Sequence, residues 1–124
     1  MRISMSLVCV LLGSGCGRSL PPASEPDVAR KSLETALVAW KKGDTPESLQ
    51  QAQPPIHFNE PRWQTGCRLE SYKVLAPEPF GREVKMRVML SYKTSDGEAH
   101  EHETAYTVDT GTRIVIGPAD FLGD

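Results

Sequence analysis

An α+β fold, with helices first and an antiparallel sheet after them, is what this sequence predicts. Three observations predict it. Apolar residues at Val28, Leu33, Ala36, Leu37 and Trp40 recur at the spacing of one helix face. Val84, Met86, Val88, Leu90 and Tyr92 alternate with Glu83, Lys85, Arg87, Ser91 and Lys93, the pattern of a strand with one dry and one wet face; Met89 is the misfit. Ser95-Asp96-Gly97 then separates that run from another at Ala99 to Val108, and Asp-Gly tolerates the positive φ angles of a hairpin turn.

The chain has 124 residues, enough for one domain. It is 39% hydrophobic and 24% charged, which favours a globular chain over a disordered one. The net charge is -2, and Lys and Arg alternate with Glu and Asp instead of clustering. Nucleic-acid binding usually shows a clustered basic face, so that partner class is set aside.

Residues 1–15 read as a signal peptide. Arg2 is a minimal positive start, and Ile3 to Leu12 is an apolar run of the right length. A transmembrane helix needs about 20 apolar residues, more than this run offers. Gly13, Ser14 and Gly15 then lead into Cys16. The stretch resembles a bacterial lipoprotein leader, in which a Leu and two small residues precede the Cys that receives diacylglycerol. Leu12, Ser14, Gly15 and Cys16 fit in kind, while Gly13 stands where Leu is usual. The resemblance implies lipidation at Cys16, an export route and a membrane anchor on the extracytoplasmic side. Ordinary secretion with cleavage near Gly15 or Gly17 is the alternative, and a buried N-terminal strand is a third reading. Residues 16–23 form the lipidated Cys and a tether, kept extended by Pro21 and Pro22. Residues 24–124 form the single domain.

Within it, Ser24 is the candidate cap of the first, long helix, with Pro26 and Asp27 in its first turn. Lys41, Lys42 and Gly43 suit its C-terminal end. Thr45-Pro46-Glu47 starts a short second helix that ends near Gln53, before Pro54 and Pro55. Ile56 to Phe58 is a candidate short strand. Asn59 is placed to cap one helical turn through Trp63, closed by Gly66. Arg68 to Leu75 is the first strand of a four-stranded meander, ended by a turn at Pro77 to Gly81. Glu83 to Lys93, Ala99 to Val108 and Arg113 to Ile116 follow.

A sheet with one apolar face must bury it, and the first helix is the available cover. This order resembles the nuclear transport factor two-like cone fold, in which helices pack into the concave side of a curved sheet. A cystatin-like fold, one helix across four strands, is the rival. Enzymes of the cone fold project Asp, His or Tyr into the cavity. Here the dry-face positions Val84, Met86, Val88, Leu90, Tyr106, Val108, Ile114 and Ile116 include no acid. Tyr72, Tyr92 and Tyr106 are candidates for lining a pocket, but a general base needs a proton acceptor beside the substrate.

His100 and His102 stand two apart on a strand and so share a face, which can bring two imidazoles to one metal. A third ligand would come from His57 or a carboxylate such as Glu98. The ligand count falls short of a zinc pattern, and Glu98 to Glu103 also reads as a solvated strand end. Cys67, as a small apolar residue opening a strand, is expected to pack; no local signature marks it as a nucleophile. Trp40 is expected in the core, and Trp63 to pack over the mouth of the sheet, with an exposed contact as its alternative. No phosphate loop, nucleophile elbow or HExxH motif occurs. The tail, Pro118 to Asp124, carries Phe121 and Leu122 between acids and is a candidate either to dock on the domain or to contact a partner. No cofactor is implied. These readings favour a non-enzymatic module in the cell envelope, with a protein or a small apolar ligand as partner. A small enzyme, or a metal site at His100 and His102, are the alternatives.

Overall fold

The computed structural model describes residues 24–119. The leader, Cys16, the tether and the tail residues Phe121 and Leu122 lie outside the described residues.

Helix α1 spans Pro26–Lys42 and buries Ala29, Leu33, Ala36, Leu37, Ala39 and Trp40. Val28, expected on that stripe, is 44% exposed, because it lies a third of a turn outside the arc set by Leu33, Leu37 and Trp40. Ser24 is not the cap. Glu25 holds that position without a side-chain bond, and the Ser24 hydroxyl is engaged at the sheet, accepting from the Thr110 amide at 2.9 Å. Gly43 ends the helix at φ 90, and its amide donates to the Trp40 carbonyl. The short second helix is a six-residue 3-10 helix, Pro46–Gln51, which buries Leu49.

β1 is Ile56–Phe58, α2 is Pro61–Gln64, β2 is Arg68–Phe80, β3 is Glu83–Lys93, β4 is Ala99–Asp109 and β5 is Ile114–Pro118. The sheet has five strands in the order β1-β5-β4-β3-β2. It is therefore mixed, where a four-stranded antiparallel meander was expected. β1 joins parallel to β5, Ile56 opposite Ile114 and Phe58 opposite Ile116. The cause is burial: Ile56 and Phe58 continue the dry face past β5 and reach 4% exposure each.

β2 is also longer than expected. The prolines that were read as a turn lie within it, Pro77 opposite Met86 and Pro79 opposite Val84. An edge strand accommodates prolines because one side of its backbone carries no ladder. Register breaks between Leu69 and Ser71, and between Val74 and Pro77, relax the pairing further. The turn comes at Gly81, φ 62.

α1 packs on β2, β3 and β4. Between helix and sheet lie Leu33, Leu37, Met86, Val88, Leu90, Tyr106 and Ile114, all at 1% exposure or less. On β3, Val84, Met86, Val88 and Leu90 face inward as their alternation predicts.

Candidate functional site

The inward face of the sheet carries a polar cluster in its lower part. It is built from the link between β1 and β2. Asn59 was expected to cap α2; Glu60 does so, its carboxylate accepting from the Arg62 amide at 2.7 Å. Pro61 at the first helical position holds the turn, and Gly66, φ 99, closes it. The cap carboxylate does more than cap. It accepts from Arg62 Nη1 at 3.0 and 3.2 Å and from the phenolic O–H of Tyr106 on β4. The Glu60 side chain is 1% exposed and that of Arg62 is 25% exposed.

A carboxylate out of water is stable only when its lone pairs are engaged. Here both oxygens are: Oε1 by Tyr106 and Arg62, Oε2 by the Arg62 amide and guanidinium. Burial pushes the Arg62 pKa down, but the Glu60 carboxylate and a hydrogen bond to Tyr92 outweigh it and hold the guanidinium above its ordinary value. The Arg62 guanidinium sits 5.7 Å from the Tyr92 ring centroid.

Aromatic rings surround the cluster. Phe58 meets Tyr106 edge-on at 5.3 Å and Trp63 at 5.9 Å, and Trp63 stacks on Trp40 at 6.0 Å. Each indole N–H finds a backbone partner: Trp40 donates to the Cys67 carbonyl at 2.9 Å, and Trp63 to that of Asp44 at 3.1 Å. Both tryptophans are buried. Cys67 is half-buried at the rim of the core.

The three tyrosines do not line one pocket. Tyr106 is fully buried against Glu60, Tyr92 stacks on His100 at 5.6 Å, and Tyr72 faces the groove between α1 and the 3-10 helix. That groove, about 580 Å³, is floored by Val38, Leu49, Ala52 and Tyr72.

His100 lies opposite Tyr92 and His102 opposite Leu90, so both imidazoles share the inward face, at its uncovered end. His100 Nε2 is 3.4 Å from a Glu98 carboxylate oxygen. His57 cannot join them. It lies opposite Val115, which lies opposite Asp109 on the outward face. Asp109 is seven residues from His102, about 23 Å along the strand. Among the described residues no group of three or more His, Cys, Asp or Glu side chains is arranged to hold a metal ion. No helix among the described residues is long and apolar enough to cross a membrane.

Comparison with known proteins found no matching family model, no similar curated protein and no matching solved structure.

Proposed function

We propose that this chain is an exported envelope domain, anchored through a lipid on Cys16, that works as a non-enzymatic interaction module. The leader motif supports the anchor. The observation that carries the module reading is the filled interior: Leu33, Leu37, Met86, Val88, Leu90 and Tyr106 occupy the space between α1 and the sheet. A carrier of an apolar ligand needs that space open. Among the described residues Glu60 is the one fully buried carboxylate, and both its oxygens are engaged by its own chain, which leaves no acceptor for a substrate proton.

The cone fold is part of the same proposal. Its support is the passage of the β1–β2 link across the inward face beside α1, and the two register breaks in β2, since bulges bend strands. A single helix over four strands, the cystatin-like plan, accounts for neither β1 nor α2. The groove beside Val38 and Tyr72 keeps a ligand-binding role as the second reading.

Native mass spectrometry of the mature chain, released gently from membranes, tests the choice. The bare mass of protein plus lipid is expected. An added small-molecule mass would favour the groove, and a zinc increment would favour His100 and His102.

A further inference from the structure

We infer that the β2–β3 hairpin tip, with Phe80 at the end of β2 beside the turn, rests in the bilayer interface beside the lipid anchor. The inference builds on the anchor reading above.

The point where the tether enters the domain is fixed. The Ser24 amide donates to the Arg82 carbonyl at 3.0 Å, and the Ser24 hydroxyl donates to Asp109 at 3.4 Å. Chain entry and hairpin tip are thus hydrogen-bonded neighbours. Residues 17–23 separate Cys16 from Ser24 and can span no more than about 30 Å even when fully extended. A lipid on Cys16 therefore keeps this end of the domain within that distance of the membrane, and α1 leads away from it.

The turn is Gly81-Arg82, and the apolar residues lead into it. Pro79, Phe80 and Gly81 are consecutive exposed residues, and Phe80 is 37% exposed. The Lys85 ammonium lies 5.5 Å from the Phe80 ring centroid, an aromatic–cation pair suited to the headgroup layer. At the tip, residues 78–85, Arg82 and Lys85 balance Glu78 and Glu83, so the contact there is apolar and not a basic patch seeking anionic lipid. One ring is a weak membrane ligand on its own. The tether makes the encounter intramolecular, at an effective concentration on the order of millimolar, and a weak contact is then populated.

The test uses the full lipidated chain carrying Phe80→Trp, reconstituted in phosphatidylcholine vesicles with plain or brominated acyl chains. Trp40 and Trp63 are buried and serve as the unquenched background in the parent chain. The indole added by F80W should lose at least half its emission in brominated vesicles, with no dependence on salt. A second readout guards against a perturbed fold: trypsin should cut the parent chain at Arg82 several-fold more slowly in vesicles than in detergent. Equal emission in both vesicle types together with equal cleavage rates would overturn the tip contact and leave the anchor standing. A Cys16→Ser chain that still floats with vesicles would overturn the anchor, and with it the proximity on which the contact depends.

Discussion

Tyr106 donates its phenolic O–H to the carboxylate of Glu60, although the two stand 46 positions apart in the chain. The bond ties the β1–α2 link to the middle of β4. Deleting the hydroxyl leaves a buried carboxylate one donor short. Tyr106→Phe should therefore cost about 1–3 kcal/mol in urea unfolding, with an unchanged slope. Combining it with Glu60→Gln should give less than the sum of the two single losses, because the residues share one interaction. Additive losses would show that the hydroxyl and the carboxylate act apart.

Val88 is fully buried on the inward face, opposite Thr104. Val88→Asp would place an unpaired charge under α1, and a loss above about 4 kcal/mol is expected, enough to unfold a small domain. Circular dichroism and solubility of the variant check this. A folded, soluble variant would show that the strand's faces are reversed.

His100 and His102 are exposed at the open end of the sheet. Replacing both by Ala should change stability by no more than about 0.5 kcal/mol, with or without added zinc. A larger, zinc-dependent loss of thermal stability would assign them to a metal.

At the β3–β4 turn, the Thr94 hydroxyl donates to Asp96, and this bond, with the Glu98 amide, holds the Asp96 carboxyl below its ordinary value of 3.8. A depressed folded-state pKa means the stabilising contribution is present above the unfolded value. It is lost as pH falls through the folded value, so the acid limb below about pH 4 is where it disappears. Thr94→Val should move the Asp96 midpoint up, as read by carboxyl-carbon chemical shift. An unmoved midpoint would exclude the Thr94 bond as the cause.

The dry faces were legible because alternation and helical spacing record burial directly. Val84 to Leu90, and Leu33 to Trp40, sit where their periodicity places them. Pairing was less legible. β1 has three residues, too few for a period, and its place beside β5 follows from a surface that only the assembled sheet offers. Pro77 and Pro79 punctuate a sequence strongly, yet an edge strand with shifted register absorbs them. Glu60 lies outside the strand alternation that marks the dry face, because it caps a helical turn. Its local signature is an acid directly before Pro61, with Arg62 following.

The parallel seam between β1 and β5 also constrains the order of events in folding. Ile56 needs Ile114 beside it, so this seam cannot form until the chain has been made through β5, 58 residues later. Such long-range closure slows folding relative to local pairing. Until residues 114–118 are in place, Ile56 and Phe58 have no neighbouring strand to join, while β2, β3 and β4 can already pair through their hairpins.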